Sequence, residues 1–367
     1  MAKSIRSKKL LSDNAYAFLK EYINTPSPTG FESGGQKLWL KYIQQHVDET
    51  MTDPYGSVAG IINPKEKFKV VIEAHADEIS WFVNYISDSG LIYLKRNGGV
   101  DHQIAPGKRV LIHGKKGSVK AVFGWPAIHT RIGGGERKDP QPAVENLFLD
   151  CGAKNRKEVE SLGIHIGAVA TYEEGFDELA YNYLIGRAMD NRIGGFMIAE
   201  VARMIRANKV KLPYALYVVN AVQEEIGLRG AQTSSYGVAP HVAIAVDVTH
   251  ATDCPTIDKK SEGDIALGRG PVVYRGPNMN PHVVERLLAA GHAHDIPIQL
   301  AASGRATPTD ANVLQTTRAG VATGLVSVPN RYMHSAVETI SLDDADRAAD
   351  LLAAFVRGLE GQIVWAP

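Results

Sequence analysis

Cysteine is nearly absent: Cys151 and Cys254 are the only two in 367 residues, far apart and without any CxxC spacing. A disulfide scaffold and a cysteine-based zinc site are thereby excluded, and two buried free thiols are expected. Net charge is absent too, with 40 Lys and Arg against 40 Asp and Glu. Nucleic acid and acidic membranes both call for a basic surplus or stripe, so neither is expected as a partner. No apolar run approaches the length of a membrane span. Met1 to Lys9 is basic but lacks the apolar segment of a secretion signal, which leads to the expectation of a cytoplasmic protein. Gly133, Gly134 and Gly135 are not followed by the Gly-Lys-Ser/Thr of a phosphate cradle and read as a loop. There is neither an internal repeat nor a low-complexity tract.

What is present is apolar residue enough for a large core, 44% of the chain, over a length that favours two domains. Ala15, Phe18, Leu19 and Tyr22 stand at helical spacing behind Ser12 and Asp13, and Pro26, Pro28 and Gly30 end that helix. Leu38, Trp39, Tyr42 and Ile43 mark a second. From about residue 79 the texture changes to short β-like runs punctuated by glycine: Trp81 to Ile86, Leu91 to Leu94, Arg109 to His113 and Val119 to Phe123. These predict a small β-barrel or sandwich. Strand and helix alternate afterwards, as in an α/β fold. Ile193, Met197, Val201, Met204 and Ile205 form one helical stripe, and Val283, Val284, Leu287 and Leu288 another. The last helix opens on a capping box, Ser341 to Asp344, and buries Ala348, Leu352, Phe355 and Leu359. The expected fold is an α/β domain, residues 1–78 and 181–367, with a mixed, mostly parallel sheet flanked by helices. A β-rich domain, residues 79–180, is inserted into it.

The chemistry centres on residues 216 to 225, where an apolar run, Leu216, Val218, Val219 and Val222, stops at two adjacent carboxylates, Glu224 and Glu225. Such a run reads as a strand buried on both faces, and ligand groups collect at the carboxyl ends of such strands. Neighbouring carboxylates repel, so they need a cation, a shared proton or solvent. Three more runs end alike: Val70 to Ala74 at His75 and Asp77, Val242 to Val246 at Asp247, and Ala322 to Pro329 shortly before His334. Asp190 opens a helix pattern. Taken together, His75, Asp190, Glu225, Asp247 and His334 give two ions three protein ligands each if Asp190 bridges. His75 and Asp247 complete one site, Glu225 and His334 the other. Mixed imidazole and carboxylate ligands suit zinc, with cobalt or manganese acceptable, and leave room for a bridging hydroxide as nucleophile. Glu224, outside the ligand set, is the general base, and Asp77 holds the His75 ring in its metal-binding tautomer. Other groups read as structural. His102, His113, His129 and His165 have no acid at ligand spacing, and His292 and His294 face solvent. His250 and Asp310 are candidates for lining the pocket.

Five motifs carry a resemblance. HADEI at 75–79, GRAMDNR at 186–192, EEIGLRGA at 224–231, AVDVTHATD at 245–253 and RYMHSAVE at 331–338 resemble, in order and spacing, the tetrahedral and glutamyl aminopeptidases of metallopeptidase family forty-two. The resemblance runs over nearly the whole chain. It implies a zinc-peptidase-like di-metal domain with a β domain inserted after the first motif. It also implies the same five ligands, Glu224 as base and Asp77 as orienting acid. By the same route the inserted domain is a dimerisation element that shapes access to the site, and the assembly is a homo-oligomer of up to twelve subunits. Ser80 stands where the family usually has glycine, and Asn191 where it often has aspartate. The stretch from Gly304 to Asn312 also departs near the expected substrate pocket. The implied activity is metal-dependent removal of the N-terminal residue from short peptides. Its rivals are a di-metal deacylase of N-acyl amino acids or modified dipeptides, a glycosidase, and a non-catalytic assembly protein.

Overall fold

The structure, a computed structural model, describes residues 11–131 and 141–360. Met1 to Lys9 and the three consecutive glycines at 133–135 lie outside the described residues. The chain divides into two compact units, Met1–Glu78 with Phe176–Met333 and Val337–Pro367, and Ile79–Gly175 with His334–Ala336.

In the first unit, β-branched and small apolar residues build the centre of an 11-stranded sheet. Four strands run parallel side by side in the order Ala215–Ala221, Lys69–His75, Val242–His250, Ala322–Arg331. They are buried almost throughout, as a strand covered on both faces must be. Outside this centre, parallel pairing recurs between Val272–Arg275 and Gln299–Ala302. Val58–Ile62 and Glu49–Thr52 extend one side antiparallel, and Glu338–Ser341, Tyr183–Gly186 and Asp177–Glu178 extend the other. Val272–Arg275 and Gln299–Ala302 branch from Ala322–Arg331.

Helix Met189–Ala207 lies on the centre of the sheet, and Asp13–Asn24, Ser33–Ile43 and Leu342–Gly358 pack on it. Helices Arg229–Val238 and Ala311–Leu314 pack on each other and on the central strands. Ser12 caps the first helix by accepting from Ala15 N–H at 3.2 Å, as its position predicts.

The capping box expected at Ser341 does not form. The Ser341 hydroxyl is buried without a partner among the described residues, and Asp344 turns away to accept from the Gly268 and Gly270 N–H groups at 2.6 and 2.7 Å. The box calls for Glu or Gln at its fourth position. The shorter Asp344 serves two loop amides instead. The helix still buries Ala348, Leu352 and Phe355, with Leu359 buried just beyond its end.

The second unit is a closed six-stranded antiparallel barrel, so the barrel reading holds over the sandwich. Round the barrel run Ser80–Ile86, Ile92–Asn97, Phe148–Asp150, Gly117–Gly124, Arg109–Gly114 and Val169–Tyr172. Closure leaves no open edge. Trp81 and Phe123 meet edge to face inside it at 5.3 Å. Ser80, the departure from the family glycine, is buried and accepts from the Asn97 amide at 2.8 Å. Among the described residues no helix is long and apolar enough to cross a membrane.

Candidate active site

Where two parallel strands part, their carboxyl ends leave room for ligand groups. Lys69–His75 pairs with Val242–His250 only as far as Glu73 opposite Ala245, two residues short of His75 and Asp247. Val242–His250 continues to pair with Ala322–Arg331 as far as His250 opposite Asn330. Asp247 therefore lies inside a strand rather than at its end, at the point where one neighbour departs. On the other side His75 is level with Ala221, and the chain turns through Gln223, at φ +56°, into Glu224 and Glu225.

Three oxygens approach one imidazole nitrogen. His75 Nε2 lies 3.1 Å from Asp190 Oδ1, 3.8 Å from Asp247 Oδ1 and 3.9 Å from Glu224 Oε2. Within the first unit, His75, Asp190 and Asp247 each present a ligand atom, all within 4.8 Å of one another, and Glu225 belongs to the same unit, whereas His334 belongs to the second. The His334 ring also sets Nδ1 2.9 Å from the Gly99 carbonyl oxygen. Asp190 does not sit in a regular helical turn, as its spacing suggests. Its ψ is 107°, and Asn191 also departs from helical geometry before the helix proceeds. The Asp190 N–H is held by Glu338 at 2.9 Å. Asn191 accepts from Gly194 N–H at 3.1 Å and donates to the Val246 carbonyl at 2.7 Å. An ionised aspartate there could make the first bond but not the second.

Crowded acids in a buried place raise one another's pKa. Burial pushes Asp247 up to about 8, opposed by His75 and reinforced by Asp190 and Asp310. Burial likewise holds Glu224 well above the carboxylate range, opposed by His75 and joined by Asp310, Asp247 and Glu225. Burial alone would depress His75, but Glu224, Asp190 and Asp77 outweigh it and hold its pKa high. Imidazole and carboxylate donors converging in a buried, acid-rich crevice fit divalent cations.

Asp77 does more than its spacing from His75 suggests. Its Oδ1 lies 3.3 Å from His75 Nδ1, without the alignment of a hydrogen bond. The same carboxylate accepts from Glu224 N–H at 3.0 Å, from Glu225 N–H at 3.2 Å and from the Thr29 hydroxyl at 2.9 Å. It ties the two-glutamate turn to the His75 strand. Next to it, Glu78 takes the Arg187 guanidinium and the Ser27 N–H. Fully buried Arg192 donates to the Ala76 carbonyl, between His75 and Asp77, at 3.0 Å.

The segment from Pro26 to Glu32, read from sequence only as a helix stop, supplies a second brace. Glu32 is buried and accepts from Gly30 N–H at 2.7 Å and from Gln223 N–H at 3.2 Å, steadying the residue before Glu224. The only signal in the sequence is a cluster of polar residues within a Pro and Gly segment. Burial and then Asp77 push Glu32 up to about 7, from 4.5. Across that window the folded chain holds a proton that the unfolded chain has released, so this group makes stability fall as pH rises and adds no slope above it. In metal-free Glu32→Gln protein, denaturant unfolding at about pH 5 and about pH 8 should show a shallower decline than the parent and greater stability at the higher pH. An unchanged decline would refute the assignment.

His292, His294, His129 and His250 are exposed. His113 lies between the Ser118 and Thr171 hydroxyls, and His102 beside Arg96.

Relatives share this architecture. A lysyl aminopeptidase of Pyrococcus furiosus is 33% identical over 350 residues, 94% of this chain and 97% of that one. The TET aminopeptidase from the marine sediment archaeon Thaumarchaeota archaeon SCGC AB-539-E09 superposes with a TM-score of 0.90 at 29% identity, covering 95% of this chain and 97% of its own. The TET1 peptidase of Pyrococcus horikoshii, described as assembling into a tetrahedron or a large octahedral shell, superposes at 0.81 with 25% identity, over 94% of this chain and all of that one. Residues 56–351 match the M42 glutamyl aminopeptidase family. The chain belongs to that family, and by family and fold it is an aminopeptidase.

Proposed function

We propose that the enzyme removes the N-terminal residue from short peptides, using two divalent metal ions held by His75, Asp190, Glu225, Asp247 and His334. Asp190 would serve both ions, His75 and Asp247 one, and Glu225 and His334 the other. The observation that carries this reading is the approach of Asp190, Asp247 and Glu224 oxygens to His75 Nε2 within 3.9 Å. Zinc suits the mixed donors best, with cobalt or manganese acceptable. When bound, the ions supply electrophilic polarisation of the scissile carbonyl and acidify the attacking water.

The chain's own groups do the rest. Glu224 takes the proton from that water and delivers it to the departing amine, a role suited to a carboxylate with a raised affinity for protons. Asp77 keeps the His75 ring in place and fixes the main chain on which Glu224 rides.

A homo-oligomer of up to twelve subunits is proposed by analogy with a solved structure described as PhTET1-12s, a dodecamer in the asymmetric unit, which superposes with a TM-score of 0.82 at 25% identity. A cytoplasmic location is proposed with it, where short peptides from protein turnover are the substrates at hand.

The test is a panel of aminoacyl p-nitroanilides. Hydrolysis should vanish on dialysis against chelator and return with zinc or cobalt, and N-acetylated versions should stay intact. Chelator-insensitive turnover, or cleavage of the N-acetylated compounds in preference, would overturn the reading.

A further inference from the structure

The sheet face that carries His75 and Asp247 also carries polar groups for which the chemistry above has no use. Strand alternation puts Glu73 on the same side as His75, and register adds Ala245, Asp247 and Ser327 to that side. Glu73 is wholly buried. One of its oxygens meets the Ser234 hydroxyl of helix Arg229–Val238 at 3.3 Å, and the other has no partner among the described residues. The Ser327 hydroxyl, equally buried, has none either.

Helix Ala311–Leu314 packs on Arg229–Val238 and on the strands of Asp247 and Ser327, and Asp310 stands at its head. Asp310 occupies the cap position, yet its side chain caps nothing. It is 3% exposed, and among the described residues neither carboxylate oxygen has a hydrogen-bonding partner. An ionised carboxylate left so is costly to bury unless a cation reaches it at some stage of function.

The reaction supplies such a cation. In a peptide cleaved at its first bond, the ammonium nitrogen lies two covalent bonds from the carbonyl under attack. Its counter-charge must therefore adjoin the face that holds His75 and Asp247, and must stay uncompensated until substrate arrives. We propose that Asp310 reads the free N-terminus, its carboxylate binding the primary α-ammonium of the substrate while Glu73 behind it reinforces the negative potential. This rests on the aminopeptidase reading above. Glu73 is the poorer candidate for direct contact, being fully enclosed and partly engaged by Ser234. In support, burial pushes Asp310 up to about 7, with His75 pulling it down and Asp77 adding to the rise. Glu224, Asp247 and Glu73 in turn feel the Asp310 charge.

The experiment is calorimetric binding to zinc-loaded enzyme carrying Glu224→Gln, which prevents turnover. The probes are the amide of the amino acid favoured by the substrate panel and its Nα-acetyl form. Adding Asp310→Asn should weaken the free-amine probe roughly tenfold to a hundredfold, the range of a lost charge-assisted bond. It should leave the acetylated probe within about threefold and the zinc content unchanged. Asp310→Glu, which keeps the charge but displaces it, should retain part of the preference for the free amine, and it decides the matter if the asparagine variant does not fold. Equal weakening of both probes, an undiminished preference in the variants, or loss of zinc or fold in both would overturn the inference and make Asp310 a framework group. Absence of any metal-dependent hydrolysis by enzyme with Glu224 and Asp310 intact would instead remove the function on which the inference rests.

Discussion

Glu224→Gln should retain its metal and its thermal stability while losing roughly 10²- to 10⁴-fold in kcat, the contribution of a positioned general base. The carboxamide matches the carboxylate in shape, and the turn beneath it is held through main-chain N–H groups on Asp77, which the substitution leaves alone. Under the proposed mechanism, what disappears is the capacity to accept a proton from water and return it to the leaving amine. KM should move little, since a group that acts only on the proton in flight adds little to ground-state binding. Steady-state hydrolysis of the best aminoacyl p-nitroanilide, beside metal analysis of the same sample, separates the outcomes. A variant that keeps full turnover would remove Glu224 from the mechanism. One that loses metal in proportion to activity would make Glu224 a ligand instead.

The second large effect is expected at a residue that need touch neither metal nor substrate. Asp77→Asn should lower metal affinity and kcat by roughly tenfold to a hundredfold each, the usual cost of disturbing a group that orients a metal-binding histidine. The loss should sit at the upper end of that range because the carboxylate has a second task. Glu224 N–H points at Oδ1 and Glu225 N–H at Oδ2. An asparagine has a single acceptor oxygen, so either orientation of its amide sets one N–H against another in a fully buried place. The turn must shift, and with it the proposed base and a proposed ligand together. Metal titration followed by reduced turnover even at saturating zinc is the expected result. Affinity and kcat both within about twofold of the parent would show that the bracket is dispensable.

The parts of this arrangement legible in the sequence are those where an apolar period breaks against a charged residue. His75, Glu224 and Glu225 interrupt or follow β-branched runs that only a doubly covered strand explains, and the strands Lys69–His75 and Ala215–Ala221 stand where those runs predict. Asp247 was harder to place. Its strand continues to His250 on pairing with Ala322–Arg331, a long-range fact that local periodicity does not contain. Ser341 misled because a capping box is a local pattern, whereas Asp344 is claimed by two amides from a distant loop. Glu32 and Thr29 were silent because Pro26, Pro28 and Gly30 announce only the end of a helix. What the loop does next depends on the Gln223 and Asp77 groups that it meets across the fold. The barrel was readable from glycine-spaced short runs, though closure over a sandwich was not, since that depends on Ser80–Ile86 pairing with Val169–Tyr172.

The order of strands in the sheet has a bearing on biosynthesis. Lys69–His75 is made early, yet both of its partners, Ala215–Ala221 and Val242–His250, come from the second half of the chain. While the ribosome works through the barrel segment and the helix Met189–Ala207, this apolar strand has no neighbour on either side, a condition that invites self-association. The barrel, whose strand pairs all fall within Ser80–Tyr172, is able to close during that interval. Nascent chains stalled between the two stages should be the ones that chaperones hold.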